Sequence, residues 1–311
     1  MDPQPAVRPG LIVSIGEPMV EFNQTRPGER NFLQGFGGDT SNMIIAAARS
    51  GARTAYITRI GDDEFGRLFL DLWKDEGVST RGVIIDRRAP TAVYFVTHGA
   101  QGHAFSYLRA GSAASRLQPA DLPDFIESAA LLHASGISMA ISPSAAETVL
   151  AAFRRAKGRI AFDSNLRLKL WSLERAREMI GAAAAMADYF FPSIEDARLL
   201  SSFEQPERNL EWAHGLGAKT VFLKLGADGV IVSDGTKRER IAGHPVKAVD
   251  ATGAGDCFCG ATLARLAAGD SIWDAARYAN AAAALATTGF GAVGPLPRPE
   301  AVRSLLASQA R

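Results

Sequence analysis

Short apolar runs and longer segments with helical periodicity alternate along most of the 311-residue chain. The apolar runs predict strands, at residues 11–15, 53–60, 130–134, 159–163, 189–191 and 219–225. Segments in which apolar positions recur every three or four residues predict helices, at residues 43–49, 63–76, 143–157, 173–185, 194–200, 261–268 and 272–288. The alternation implies an α/β fold with a mostly parallel sheet covered on both faces, which binds ligands at the carboxyl ends of its strands.

Two strands without a helix between them interrupt this alternation. They are predicted at residues 91–97 and 104–109, and such an antiparallel excursion is typical of a small sheet laid over one end of a larger one. We therefore expect a lid, built from segments at about residues 17–35 and 90–110, within a single domain of residues 1–311.

Two other stretches carry turn signals. Residues 17–34 are mixed and turn-rich, with a break at Arg26-Pro27-Gly28. Residues 230–233 and 238–241 predict a hairpin around the Asp234-Gly235 turn.

The composition limits the classes of partner that the protein is expected to bind. Apolar residues make up 47% of the chain and charged residues 22%, as in ordinary globular proteins. The 34 basic and 33 acidic residues nearly balance, which argues against nucleic acid or a membrane surface as the main partner. The N-terminus has no apolar stretch typical of a signal peptide, and no run reaches the ~20 apolar residues of a membrane span. Cys257 and Cys259, the only cysteines, indicate neither a disulfide framework nor a zinc site, so we expect a reducing cytoplasm.

The stretch from Asp250 to Phe258 indicates an anion site. A strand end passes through small residues and glycines into an Ala-rich helical pattern that is expected to begin at about Phe258. The first N–H groups of a helix lack intrahelical partners and lie at its positive end, so such a place suits phosphate. Asp256 would repel phosphate unless it handles a proton. It is therefore either the base of a phosphoryl-transfer site or an N-terminal helix cap.

A second glycine-rich stretch precedes a helix near the N-terminus. Gly37 and Gly38 suggest close backbone approach to a ligand, although a tight turn also explains them. Asp39, Thr40 and Ser41 are each candidate caps of the following helix.

Other motifs exclude several chemistries. The chain has no Gly-Lys dipeptide and so no Walker A loop, no His-Glu-x-x-His pair and no Gly-x-Ser-x-Gly elbow. Residues 289–294 match a dinucleotide fingerprint in letters, but they follow a helical segment where the motif requires a strand. We reject that motif.

Three motifs together resemble the signatures of the ribokinase-like, or PfkB, sugar kinases. They are residues 37–42, 61–66 and 250–256, in the order of that family, and the resemblance spans nearly the whole chain. It implies a ribokinase-like three-layer αβα sandwich with a mostly parallel central sheet and a small β-sheet lid.

The resemblance also implies ATP-dependent phosphorylation of a sugar hydroxyl. Gly253, Ala254 and Gly255 would present backbone amides to the transferring phosphate, and Asp256 would accept the hydroxyl proton. Mg²⁺ would bridge the nucleotide phosphates largely through water. Whether a K⁺ ion near Asp250 assists the reaction is left open.

The resemblance extends to the nucleotide side, where residues 224–229 are similar to the family's adenosine-side loop. The implied nucleotide-binding residues are Ser193, Lys224, Gly226, Gly229, Thr252, Gly253, Gly255 and Asn280. Many relatives have Asn, two residues and Glu in a motif linked with magnesium and phosphate, where this chain has Ser193 and Asp196. Because of that departure, we expect no residue to bind the metal directly. Asp196 would contact it through a water molecule.

The substrate is narrowed by strings that resemble those of 2-keto-3-deoxygluconate kinases, at residues 107–113, 132–137 and 163–171. The implied substrate-binding residues are Gly37, Gly38, Asn42, Tyr94, Tyr107, Arg109, Arg167 and Asp256. Arginine pairs bidentately with carboxylates, so Arg167 with Arg109 nearby would hold the carboxylate of a sugar acid. We expect phosphorylation of the terminal 6-hydroxyl of 2-keto-3-deoxygluconate.

Other interpretations remain open. Arg167 could form a surface ion pair near Glu174, and lid tyrosines are often packing residues. The chain could be a kinase of a neutral sugar or nucleoside, such as fructose, ribose or adenosine, or a sugar-binding regulator on the same fold. Because lid strands expose edges, we expect a homodimer through the lid, with a higher oligomer open.

Overall fold

The computed structural model describes residues 10–99 and 102–309, which form two sheets and the helices around them. In chain order the strands are β1 (Leu11–Ile15), β2 (Met19–Gln24), β3 (Phe32–Gly37), β4 (Arg53–Gly61), β5 (Val78–Asp86), β6 (Ala92–Gly99), β7 (Gly102–Leu108), β8 (Leu131–Ser135), β9 (Arg159–Asp163), β10 (Tyr189–Phe191), β11 (Thr220–Lys224), β12 (Val230–Ser233) and β13 (Arg238–Ile241). The α-helices are α1 (Asp39–Arg49), α2 (Glu64–Asp75), α3 (Gly136–Ala140), α4 (Pro143–Arg155), α5 (Leu173–Ala184), α6 (Ile194–Ser201), α7 (Pro206–Leu216), α8 (Ala254–Ala267), α9 (Ile272–Ala286) and α10 (Pro299–Gln309).

The large sheet has the order β13-β12-β11-β10-β9-β8-β1-β4-β5. All neighbours from β11 to β5 are parallel, whereas β12 pairs antiparallel with both β11 and β13, so that β12 is the one strand of this sheet that runs in the opposite direction. One apolar core packs α1, α2, α8, α9 and α10 on one face, and a second packs α3 to α7 on the other. The predicted αβα sandwich with a mostly parallel sheet is thus confirmed. Of the helices in the described residues, none is long and apolar enough to cross a membrane.

The small sheet has the order β3-β2-β6-β7 and forms the predicted lid. The hairpin of β6 and β7 and the turn at residues 26–28 were expected, but the strands β2 and β3 on either side of that turn were not predicted. These strands are only partly buried and carry polar residues such as Asn23, so their apolar pattern is weak. The stack of Phe22 on Phe95, with ring centroids 5.2 Å apart, holds β2 to β6. That the whole chain is one domain stays a prediction.

Helix α1 starts four residues earlier than predicted and is not capped by a side chain. Its N-cap is Gly38, at φ 97°, where an added Cβ would lie 2.3 Å from the carbonyl oxygen of Glu17. The candidate caps Asp39, Thr40 and Ser41 lie inside the helix, so the capping prediction was wrong. The side chains of these three residues are used in tertiary contacts, so they are not available as caps.

Other boundaries also differ from the prediction. Helix α8 begins at Ala254, earlier than the expected start at about Phe258, because the apolar pattern becomes clear only after the polar first turn. Elements β5, α7 and α10 were not predicted. Polar and charged residues interrupt their apolar pattern, and their packing becomes visible only in the tertiary structure.

Helices α1 and α8 cross at very close range. An added Cβ at Gly260 on α8 would lie 2.3 Å from the carbonyl oxygen of Met43 and 2.9 Å from the backbone nitrogen of Ala47. These are backbone atoms of α1, which cannot yield by changing a rotamer. The glycine therefore sets the distance between the two helices whose N-termini face the cleft between the sheet and the lid.

We predict that Gly260→Ala lowers the melting temperature, with a loss of about 1–3 kcal/mol from overpacking. The matched control is Gly215→Ala, since Gly215 also lies within a helix, but nothing lies within 4 Å of an added Cβ there. Helix propensity alone should make that control neutral or stabilising by up to about 1 kcal/mol. Equal shifts for the two variants in thermal unfolding would contradict the close crossing.

Candidate active site

Asp256 lies in the first turn of α8 and meets α1 across the cleft. Its Oδ2 accepts a hydrogen bond of 2.8 Å from Nδ2 of Asn42, although the two residues are 214 positions apart in the chain. Asn42 is buried, and its side-chain oxygen finds no partner among the described residues. This hydrogen bond therefore joins the two glycine-rich stretches, residues 37–42 and 250–256, at the starts of their helices.

The surroundings of Asp256 make it a stronger base than an ordinary aspartate. Burial raises the pKa of its carboxyl to about 7, and the negative charge of Asp39 adds to the effect. Asp163 raises this pKa further, whereas the Asn42 hydrogen bond and Lys224 lower it. Near neutral pH Asp256 can therefore both take up and release a proton, as a general base must.

Asp39 is a site residue that was considered only as a cap. Its Oδ2 accepts a hydrogen bond of 2.8 Å from Nδ2 of Asn165, and its Oδ1 is buried without a partner among the described residues. Asn165 adopts a positive φ of 28°, which is rare for a residue other than glycine. The available signal was spacing, because Asp39 and Asn42 are three positions apart and lie on the same face of a helix.

The start of α8 is built to receive an anion. Gly253 is its N-cap at φ 76°, and no side chain caps the helix, although the N–H of Ala254 donates to the carbonyl oxygen of Ala251 over 3.2 Å. The N–H groups of the next two residues, Gly255 and Asp256, are therefore the ones in the first turn that a ligand would use. An added Cβ at Gly253 would lie 2.9 Å from the Cβ of Ala292. The first-turn residues Ala254 and Gly255 stand beside Asp256, where the sequence placed the transferring phosphate.

Asp250 fixes the loop that precedes α8 through hydrogen bonds to Thr252 and Gly291. Its Oδ1 accepts from the backbone nitrogen of Thr252 at 2.9 Å and from its hydroxyl at 2.6 Å. Its Oδ2 accepts from the backbone nitrogen of Gly291 at 2.9 Å. The hydroxyl of Thr252, a candidate nucleotide contact, thus also fixes the loop.

The predicted adenosine-side residues fall into two groups. Gly226 faces open space, and Gly229 approaches the backbone after β13, where an added Cβ would lie 2.1 Å from the carbonyl oxygen of Ile241. Asn280 is buried on α9 and donates a hydrogen bond of 2.7 Å to the carbonyl oxygen of Ala242. Lys224 lies apart from them, at the phosphate end, where its ammonium contacts Asp163 at 2.7 Å.

Ser193 and Asp196 have structural partners. Ser193 caps α6 by accepting from the backbone nitrogen of Asp196 at 3.0 Å. Oδ2 of Asp196 accepts from the hydroxyl of Ser164 at 2.7 Å and from the backbone nitrogen of Leu166 at 3.0 Å. No cluster of three or more His, Cys, Asp or Glu residues in the described part of the chain could hold a metal ion.

On the sugar side, Tyr94 is buried and donates a hydrogen bond to Glu21. Its ring stacks on Tyr107, with centroids 5.7 Å apart, and an added Cβ at Gly37 would lie 2.5 Å from its hydroxyl oxygen. Tyr107 is partly exposed. The three residues therefore lie together at the lid, and the role of the tyrosines in shaping a substrate pocket stays a prediction.

The two candidate arginines have different environments. Arg109 is largely buried and forms an ion pair with the buried Glu17, which also accepts a hydrogen bond of 2.6 Å from Ser112. Burial raises the pKa of Glu17, and Arg109 opposes that effect.

Arg167 is exposed. It donates a hydrogen bond of 2.8 Å to the carbonyl oxygen of Leu166, and within residues 10–99 and 102–309 it forms no ion pair, including the one considered with Glu174. Of the two candidate arginines, Arg167 is therefore the one whose guanidinium remains available to a ligand.

The family of the chain follows from comparison with known proteins. A family model described as pfkB family carbohydrate kinase matches residues 10–299. The chain is 36% identical to a 2-dehydro-3-deoxygluconokinase of Thermoproteus tenax, over 97% of this chain and 96% of that protein. It is 34% identical to probable fructokinase-5 of Arabidopsis thaliana, over 97% of this chain and 98% of that protein.

Solved structures show the same fold. A fructokinase with bound ATP from Xylella fastidiosa superposes with a TM-score of 0.90 at 27% identity, covering 97% of this chain and 99% of that one. A putative Ribokinase II from E. coli in complex with ATP and Mg²⁺ gives a TM-score of 0.89 at 26% identity, covering 96% and 99%. The described residues thus form a ribokinase-like fold, and the chain belongs to the pfkB family of carbohydrate kinases.

Proposed function

We propose that this kinase transfers the terminal phosphoryl group of ATP to the 6-hydroxyl of 2-keto-3-deoxygluconate, giving 2-keto-3-deoxy-6-phosphogluconate. The observation that carries the transfer is the position of Asp256, a partly buried carboxylate with a pKa of about 7 in the first turn of α8, which no side chain caps. A base and a set of anion donors thus stand side by side. The similarity to the Thermoproteus tenax enzyme supports this choice of substrate.

The residues at the start of α8 suit in-line phosphoryl transfer. Amides of Gly253, Ala254 and Gly255 would stabilise charge on the phosphoryl oxygens, with that of Ala254 shared between the phosphate and the carbonyl oxygen of Ala251. Asp256 would align the sugar hydroxyl and take its proton. Asn42 holds Asp256 in place through its hydrogen bond. The phosphoryl group moves from an oxygen of ADP to the sugar oxygen, and the hydroxyl proton moves to Asp256.

ATP and Mg²⁺ are the proposed cosubstrate and cofactor, since solved relatives hold them. The uncapped amides fit a phosphate, and the described residues offer no cluster that would hold the metal directly. Mg²⁺ would therefore be bound mainly by phosphate oxygens and water, with Asp196 as the nearest candidate through water. A double mutant of a fructokinase from Vibrio cholerae holds a potassium ion, which supports K⁺ as a further cofactor. The position of K⁺ near the loop of Asp250 is part of the proposal.

The nucleotide would extend from the start of α8 towards Gly226 and Asn280. The open space at Gly226 supports this direction, and Asn280 would flank the base from α9. Ser193 and Thr252 are proposed contacts of the phosphate chain. Each of their hydroxyls already has a protein partner, so each would share it with the nucleotide.

The substrate carboxylate is proposed to bind Arg167, whose guanidinium is exposed and has a backbone carbonyl as partner. Arg109 would act as the second cation at the end of the lid, beside Tyr107 at 5.8 Å from its ring centroid. Gly37 and Gly38 would let the sugar approach the backbone, with Tyr94 as the wall.

A neutral sugar such as fructose is the second candidate. The specific observation in its favour is the ion pair of Arg109 with Glu17, which offsets one of the two positive charges that a sugar acid would use. Several plant fructokinases are about as similar to the chain as the 2-dehydro-3-deoxygluconokinase. A regulator without turnover is disfavoured, because a buried carboxylate in an anion site is costly without a chemical role.

We also propose a homodimer through the lid. Its sheet has β3 and β7 at its two edges, and large apolar side chains on these strands are exposed, among them Leu33, Phe105 and Leu108. Pairing two lids would cover both edges and side chains. A cytoplasmic location is proposed because both cysteines are free and buried.

We predict that Asp256→Asn lowers kcat by about 10²–10⁴-fold while ATP and sugar still bind, because it removes the base but keeps an oxygen for Asn42. In the unchanged enzyme, kcat should fall as the pH drops below about 7, since Asp256 must be deprotonated to act. Asp39→Asn removes a negative charge that raises this pKa, so it should move the acid limb to lower pH. The titration of ATP is common to both enzymes and cancels in the comparison. Near-normal turnover of Asp256→Asn would remove that residue from the reaction.

We predict that the enzyme phosphorylates 2-keto-3-deoxygluconate with a higher kcat/KM than fructose, and that Arg167→Ala raises the KM for the keto acid about 10–10²-fold. The KM for ATP should stay nearly constant. Arg154→Ala is the matched control, since Arg154 is an exposed arginine on α4, on the opposite face of the sheet from α1 and α8. A preference for fructose, or an unchanged keto-acid KM, would favour the neutral-sugar alternative. NMR of the product identifies the phosphorylated hydroxyl.

A further inference from the structure

A cluster of three polar side chains lies behind the first turn of α8. Nζ of Lys224, at the end of β11, donates to Oδ2 of Asp163, at the end of β9, over 2.7 Å. Sγ of Cys259, on α8, donates to the same oxygen over 3.2 Å and lies 3.9 Å from Nζ. The side chains of Lys224 and Asp163 are 15% and 6% exposed, so water contributes little to holding the ammonium.

The ammonium of Lys224 faces the proposed phosphate site. An added Cβ at Gly255 would lie 3.5 Å from Nζ, which puts the charge in contact distance of the backbone of the first turn. A full positive charge therefore stands at the same place as the positive end of the helix dipole.

Two of the three groups keep the protonation states that this role needs, while burial raises the pKa of the Asp163 carboxyl and Lys224 and Cys259 oppose that effect. Burial alone would lower the pKa of Lys224, but Asp163 beside it raises the pKa above its ordinary value, so the amine stays charged. Burial raises the pKa of the Cys259 thiol, which therefore stays protonated and can donate. The charged groups that face Asp256 from other elements are Asp39 on α1 and this Asp163 and Lys224 pair.

Stability alone gives no reason for this pair. A buried ion pair is often no more stabilising than well-packed apolar residues of similar volume, because both charges lose their hydration. An ion pair beside an anion site has a different use, since its cation can offset the charge of a bound phosphate. The position of the pair thus points to the reaction.

We propose that Lys224 supplies positive charge to the phosphate during transfer, and that Asp163 and Cys259 are positioning residues that fix its ammonium behind Gly255. This assignment rests on the proposed kinase function. Lys224 is thereby assigned to the phosphates of the nucleotide and not to its adenosine. Lys224 keeps its protons throughout, and the hydroxyl proton still goes to Asp256.

The test separates charge from structural support. Lys224→Met leaves Asp163 buried without a cation and is expected to be destabilised, which would confuse any loss of activity. The double variant Asp163→Asn with Lys224→Met removes both charges and should melt close to the unchanged protein. We expect the kcat of this double variant to be about 10²-fold lower than that of the unchanged enzyme. Calorimetry should show weaker binding of ATP and unchanged binding of adenosine.

Cys259 is tested by three variants. Cys259→Ala removes the donor to Asp163 and should lower kcat about 2–10-fold, whereas Cys259→Ser should restore most of it. Cys257→Ala is the control, because Cys257 is buried on the same helix but lies about 200° round its axis from Cys259. It should leave kcat unchanged.

The outcomes distinguish this inference from the proposed function. A double variant with kcat and ATP affinity within threefold of the unchanged enzyme would overturn the role of Lys224 and leave the kinase function standing. Equal kcat values for the alanine and serine variants of Cys259 would overturn its positioning role. An unchanged protein that neither binds ATP nor phosphorylates any sugar would overturn the proposed function itself, and the inference with it.

Discussion

The close crossing of α1 and α8 at Gly260 is the contact on which the site depends. It brings together two helix starts from opposite ends of the chain, so that Asn42 can donate to Asp256 across the junction. It also takes Asp256 partly out of water, and this desolvation is the largest cause of its raised pKa. The basicity of the proposed base is therefore a consequence of helix packing as much as of the local motif.

The junction holds an unusual balance of charge. Asp39, Asp163 and Asp256 approach it from α1, β9 and α8, and Lys224 is the cation that opposes them from β11. A site with this excess of negative charge binds phosphate only if donors are preorganised, which the uncapped first turn of α8 provides. The negative groups raise the affinity of Asp256 for a proton, while the amides and Lys224 would receive the phosphoryl group.

Much of this arrangement could be predicted from the sequence. Apolar runs predicted the central strands closely, and the glycine-rich stretches indicated that a helix follows each of them, although α1 and α8 each begin about four residues earlier than predicted. The positions that escaped prediction have identifiable reasons. Strands β2 and β3 are only partly buried, so their pattern is weak. Asp39 has the ordinary appearance of a cap, and only the structure shows its contact with Asn165. The Arg109 partner, Glu17, lies on a different segment, and pairs of this kind depend on tertiary structure.

The pKa of Asp256 in the ligand-free protein tests the account most directly. Carbon-13 NMR of protein labelled at aspartate carboxyl carbons would follow its titration, with the signal assigned by its loss in Asp256→Asn. Burial between α1 and α8 predicts a midpoint near 7. A midpoint near the ordinary value of 3.8 would show a solvated carboxylate and contradict the account.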